Sequence, residues 1–171
     1  MSDLFYRNSD LDAARAQGIL EDALQGCDDG ELFLEASEAE VLAYDDGKLK
    51  SASFDTSQGF GLRAVSGTTT AYAHAGEVSE RALRRAAATV KAVRSGSAGS
   101  VMADPPGTNR ALYAPDNPIA AMPFEEKVRL LEEADAFARA LDPRVRQVSI
   151  SLAGQWQAVE ILRPRGLRRS A

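Results

Sequence analysis

Histidine and cysteine carry most metal and nucleophilic chemistry, and this 171-residue chain holds one of each, His74 and Cys27. Metal hydrolysis, triad chemistry and most general-base chemistry must therefore pass through His74 or lie outside the chain. His74 follows Tyr72 on an expected strand, and no His, Cys or carboxylate stands at ligand spacing from it. An ordinary strand-end histidine is the favoured reading over a functional one. Cys27 has no CxxC partner, and its neighbours Asp28 and Asp29 disfavour a thiolate, so it reads as a small packing residue near a helix end. Gly59-Phe60-Gly61 suggests a phosphate cradle, yet the full GxGxxG fingerprint is absent and no helix follows. A bulge or a close approach of another backbone is the better account of these glycines. Arg63 beside them either clamps a carboxylate ligand or, as the favoured reading, pairs within the sheet. The acids Glu35, Glu38, Glu40, Asp45 and Asp46 lack the spacing of a calcium loop and read as a solvated, charge-guarded hairpin edge. Arg163, Arg165, Arg168 and Arg169 form a basic tail. No catalytic, cofactor-binding or metal-ligating residue is assigned by this reading.

The elements that position these residues follow from periodicity. Ser9-Asp10-Leu11-Asp12 signals a helix start, with the Ser9 hydroxyl expected to accept from the first-turn amides, Leu11, Ala16, Ile19, Leu20, Ala23 and Leu24 on one stripe and Gly26 at the stop. From Glu31 the period falls to two. A short strand around Leu32 and Leu34 is expected, then Val41 to Tyr44, a turn at Asp45-Asp46-Gly47, and a return from Lys48 to Phe54. Gly59 to Val65 and Thr68 to Ala75 form another pair around Ser66-Gly67. Ser79 caps a second helix running to about Arg94, in which Glu80 and Arg84 stand four apart. Residues 94–122, rich in Gly, Ser and Pro, read as a long loop. Pro123 takes the first position of a third helix, whose expected core stripe is Phe124, Val128, Leu131, Ala134, Ala138 and Leu141, and Pro143 ends it. A last hairpin is expected, Val148 to Leu152 returning through Gly154-Gln155 as Trp156 to Leu162. The order predicts an α+β domain, an antiparallel β-meander of four or five strands in this middle region with helices packed on one face.

Charge narrows the function. Twenty basic against 25 acidic residues leave a net charge of -5, which argues against a general nucleic-acid binder. No run of about 18 apolar residues suggests a membrane span, and the first residues lack a basic-then-apolar leader. A single cysteine suits a reducing compartment, and a cytoplasmic location is expected.

Several of these spans resemble a known family. The run Val41-Leu42-Ala43-Tyr44-Asp45-Asp46-Gly47-Lys48-Leu49-Lys50-Ser51-Ala52, then Gln58-Gly59-Phe60-Gly61-Leu62-Arg63, is similar to the N-terminal domain of the TldD type in the TldD/PmbA family of zinc metallopeptidases, also known as modulators of DNA gyrase. The likeness continues through Ala71-Tyr72-Ala73 and Ser79 to Ala88. It is tightest at Met122 to Lys127 and at Asp142 to Gly154, and extends over Trp156 to Leu162.

The resemblance implies a cytoplasmic heterodimer with a TldE (PmbA) partner that degrades or processes unfolded peptides inside an enclosed cavity. It further implies zinc held by a HExxxH helix and a later cysteine in the C-terminal half. One histidine cannot build that motif, so no metal or catalytic residue carries over to any position here, and the chain alone is expected to be inactive. Residues 1–164 are expected to form the N-terminal domain. After Pro164 the likeness is lost, and 165–171 reads as a basic tail left by truncation or frameshift. The alternative is a stand-alone peptide- or protein-binding module acting by strand addition, without enzymatic activity.

Overall fold

A computed structural model of the chain describes residues 4–93 and 116–170. Its strands are β1 (Asp29–Asp45), β2 (Lys48–Ser66), β3 (Thr69–Ala75), β4 (Ser149–Arg163) and β5 (Leu167–Ser170). They form an antiparallel sheet in the order β3-β2-β1-β4-β5. The helices are α1 (Ala13–Leu24), α2 (Glu80–Val90), the short α3 (Pro118–Ala121) and α4 (Phe124–Leu141). The fold is α+β, as expected.

The strands are longer and fewer than the period-two reading implies. Glu31 to Leu34 and Val41 to Tyr44 belong to one 17-residue strand, and Lys48 to Phe54 and Gly59 to Val65 to one of 19. The stretches between them hold no Gly, Pro or Asn to turn the chain, so the backbone stays extended. The turn at Asp46-Gly47 forms as expected, both residues having positive φ (48° and 74°), the conformation of a two-residue hairpin. The expected turn at Gly154-Gln155 does not form, because β4 runs through it without a break. At Gly154 the strand passes beside α3, where a Cβ would stand 3.4 Å from Cγ1 of Ile119, about van der Waals contact.

The chain divides into two compact units. The first comprises Met1–Ala36, Ser57–Pro115 and Ala158–Ala171. Its core joins α1 (Ala16, Ile19, Leu20, Ala23, Leu24) and α2 (Leu83, Ala86, Ala87, Val90) to Leu32 and Leu34 of β1, Leu62 of β2 and Leu162 of β4. Even-numbered positions of β1 face this core, leaving Glu31, Phe33 and Glu35 on the other side. The cap of α1 is Asp12, whose carboxylate accepts from Arg15 N at 2.7 Å. Ser9 is used otherwise: its hydroxyl donates to Val78 O at 2.6 Å and accepts from Leu11 N at 3.0 Å. Ser79 caps α2 as expected, accepting from Ala82 N, and Arg84 pairs with Glu80 at 2.8 Å. A single 3-10 turn, Lys91–Val93, follows α2. Tyr6 donates to the buried carboxylate of Glu160 at 2.9 Å, fixing the first residues to β4. Arg165-Gly166, both with positive φ, turns the chain so that Leu167 pairs opposite Arg163.

The second unit comprises Ser37–Thr56 and Asp116–Gln157. Leu42, Tyr44 and Leu131 form its centre, with Leu49, Val128, Ile150 and Leu152 packed on them. Of the expected stripe on α4, only Leu131 is fully buried, while Phe124 and Leu141 are exposed. Pro123 caps α4 one position before its first helical residue. The expected loop at 94–122 falls mostly on residues 94–115, which lie outside the described residues. Its last part contains α3, capped by Asn117, whose Oδ1 accepts from Ile119 N at 3.0 Å.

Candidate functional site: a glycine-floored groove

On the first unit, the sheet face turned away from the helices carries a groove of about 260 Å³. Its floor is made by Gly59 and Gly61 of β2, and its walls by Phe33 and Glu35 of β1 on one side and Tyr72 and His74 of β3 on the other. Alternation places these side chains. On β3, Ala71, Ala73 and Ala75 are half-buried, while Tyr72 and His74 are exposed.

The glycines are there for close approach, as the sequence reading favoured. A Cβ on Gly59 would stand 2.7 Å from the carbonyl oxygen of Ala75, and one on Gly61 would meet the phenol of Tyr72, with Cε2 and Cζ at 2.9 Å. In register, Gly61 stands opposite His74 and Arg63 opposite Tyr72, so the Tyr72 ring leans diagonally across the glycine. His74 stacks on that ring with centroids 5.7 Å apart and planes 26° from parallel. The only histidine of the chain thus belongs to an aromatic platform, a role that strand-end placement alone does not reveal.

The other candidates are placed plainly. Arg63 pairs within the sheet, to Glu31 at 3.2 Å and Asp29 at 3.3 Å, and Glu31 also receives Arg163 at 3.3 Å. Cys27 sits half-buried just after α1, its N–H donating to Leu24 O at 2.9 Å. Apart from Glu35, the acids of the first hairpin are not a solvated edge, because α4 and the segments flanking it bring each of the other four a donor. Glu38 accepts from Asn117 at 2.7 Å, Glu40 pairs with Lys127 at 2.5 Å, and Asp46 pairs with Arg139 at 2.5 Å. Asp45 accepts from Ser149 at 2.5 Å and from Gln147 at 3.0 Å. Those two bonds hold the Asp45 carboxyl below its ordinary range, the Lys50 charge adding to them and partial burial opposing. Glu35 alone among the acids of β1 has no hydrogen-bond or ion-pair partner among the described residues. The side chains of the arginine tail beyond Gly166 lie outside the described residues.

Zinc needs a set of nitrogen, sulfur or carboxylate donors converging on one point. Among the described residues no group of three or more His, Cys, Asp or Glu side chains stands together in that way. His74 faces Tyr72, and the acids nearest it in sequence are committed to cations or stand singly. The described residues therefore do not fit a zinc centre. Among the described residues no helix is long and apolar enough to cross a membrane.

Comparison with known proteins gives the groove a context. Residues 30–94 match the PmbA/TldA metallopeptidase domain 1, and residues 117–171 match the PmbA/TldA metallopeptidase central domain. The metalloprotease TldD homolog of Haemophilus influenzae is 34% identical over 139 residues, which cover 79% of this chain and 29% of that protein. The corresponding homolog of Buchnera aphidicola is 29% identical over 141 residues, 81% of this chain and 29% of that protein. The chain thus spans under a third of the length of these relatives. The fold is similar to that of a candidate modulator of DNA gyrase from Bacteroides thetaiotaomicron, with a TM-score of 0.69 and 16% identity, over 92% of this chain and 38% of that one. It is similar also to TldE of Thermococcus kodakarensis, with a TM-score of 0.65 and 14% identity, over 90% of this chain and 36% of that one.

Proposed function

Since this chain belongs to the PmbA/TldD metallopeptidase family, we propose that it supplies the non-catalytic first and central domains of a TldD-type zinc peptidase. That peptidase degrades or processes unfolded peptides together with a TldE (PmbA)-type partner in the cytoplasm. The observation that carries this reading is the donor set. With one histidine and one cysteine in 171 residues, a HExxxH zinc helix cannot be written in this chain. The share of the relatives' length that it spans, 29%, agrees with a role outside the metal-bearing part. No step of hydrolysis is assigned to any residue here.

The test is a peptidase assay on an unfolded protein such as reduced casein, with added zinc, for the chain alone and for the chain with a PmbA-type subunit. No cleavage is expected in either arm, and no stoichiometric zinc by elemental analysis. Cleavage by the chain alone that a chelator abolishes overturns the reading.

A second reading is favoured by one feature, the place of β3 at the end of the strand order. There the chain acts as a stand-alone module that binds extended peptides by strand addition. Tight binding of unfolded peptides without zinc supports this reading over the first.

A further inference from the structure

The geometry points to the glycine-floored groove as a receptor for a guanidinium, the side chain of an arginine presented by a partner protein. Size comes first. At about 260 Å³ the groove lies below the range of roughly 300–1,000 Å³ usual for small-molecule pockets, and suits one side chain rather than a cofactor. Chemistry comes second. No Lys or Arg lines the groove, so an anionic group finds no counter-charge there. Its single charged wall residue is Glu35, half-buried and without a partner among the described residues. Every other acid of β1 is matched: Asp29 and Glu31 by Arg63, Glu38 by Asn117, Glu40 by Lys127, and Asp45 by Ser149. A partly desolvated carboxylate left over in such a strand is a place for an external cation.

The opposite wall decides which cation. Tyr72 is 61% exposed, yet its ring is set in place by the bare Gly61 beneath it and by the stacked His74. A fixed aromatic face attracts a cation through its quadrupole, and a planar guanidinium can stack on it while its N–H groups point sideways. A carboxylate on the facing wall then accepts two of those N–H groups in a fork. An ammonium meets the charge but not the plane. This assignment does not rest on the peptidase reading, and its failure leaves that reading untouched.

The test uses the whole 15N-labelled chain, titrated with N-acetyl-arginine amide and, separately, with the lysine and the uncharged citrulline equivalents. Saturable shifts of the Gly59, Gly61 and His74 amides are expected with arginine and none with citrulline. Glu35→Gln, nearly isosteric on a half-buried site, is expected to weaken arginine binding by about tenfold while leaving the rest of the spectrum in place. Tyr72→Leu, which keeps bulk but not the ring, is expected to weaken it as well. Absent or unsaturable shifts, equal shifts with citrulline, tighter binding of lysine, or unchanged binding by Glu35→Gln each overturn the proposal.

Discussion

Several charged side chains in the second unit are tied down by named partners, and two of these ties have a measurable size. Lys127 has only 8% of its side chain exposed, and its ammonium donates to Glu40 at 2.5 Å and to Ile119 O at 2.7 Å. Lys127→Met keeps the apolar stem but leaves the Glu40 carboxylate and the Ile119 carbonyl without their donor. A loss of about 3 kcal/mol in urea unfolding is expected, partly restored by adding Glu40→Gln. Asp45 gives a prediction of pH. Its carboxyl is held low in the folded state, chiefly by Ser149 and then by Gln147. A carboxyl with a depressed folded pKa contributes stability above its unfolded value and loses it as pH falls through the folded value. Ser149→Ala is therefore expected to move the Asp45 titration up toward the ordinary carboxylate range. The same change should lessen the part of acid destabilisation that Asp45 causes. Carboxyl titration by NMR, with urea unfolding at about pH 7 and about pH 3, checks both. At this scale the sequence was legible where partners are near in the fold's simplest pairing. Arg63, read as pairing within the sheet, was such a case, its partners being Glu31 and Asp29. Glu38 and Glu40 were misread because their partners lie 79 and 87 residues away on segments no local pattern connects to them.

Among the elements, β2 and β3 respond differently to the same change at two glycines. An alanine at position 59 drives its methyl into the backbone oxygen of Ala75 at 2.7 Å, and only a shift of β3 relieves it. An alanine at 61 meets the far end of the Tyr72 side chain, which can swing outward. Gly59→Ala is expected to cost about 2 kcal/mol, and Gly61→Ala less than about 1 kcal/mol. The second should also unstack Tyr72 from His74, which ring proton shifts will record. Glycine was the residue whose meaning sequence settled least evenly. Asp46-Gly47 declared its turn because a polar pair between two runs of alternating residues has few other uses. Gly154-Gln155 looked alike, but β4 runs straight through it as one strand from Ser149 to Arg163, which a local window does not show. The caps split in the same way. Ser79 was read correctly, whereas at the first helix Ser9 was read as the cap and Asp12 takes that place, the Ser9 hydroxyl being turned to Val78 O.

At the scale of the whole molecule, α4 carries more apolar residues than its own unit covers. Leu130, Phe137 and Leu141 recur at helical spacing and are 46%, 67% and 69% exposed. The isolated chain is expected to self-associate at high concentration, and Phe137→Gln with Leu141→Gln to return it to a monomer by light scattering. A monodisperse parent chain under the same conditions contradicts this. The periodicity did identify α4 and most of its apolar positions. Which of them would be covered depended on how much other chain stands against the helix, a quantity that hydrophobic spacing does not contain.

The bond between Tyr6 and Glu160 has a consequence in time as well as in space. Its partners are 154 residues apart in sequence, so the first is synthesised long before the second exists. At about 5–20 residues per second, a nascent chain waits roughly 8–30 s between them. Phe5 and Tyr6, both buried in the finished fold, are made that long before the β4 residue that holds them. Tyr6 thus gains its buried acceptor only once Glu160 has been made, and the packing of the opening residues against β4 is among the later contacts of this fold to become available during synthesis.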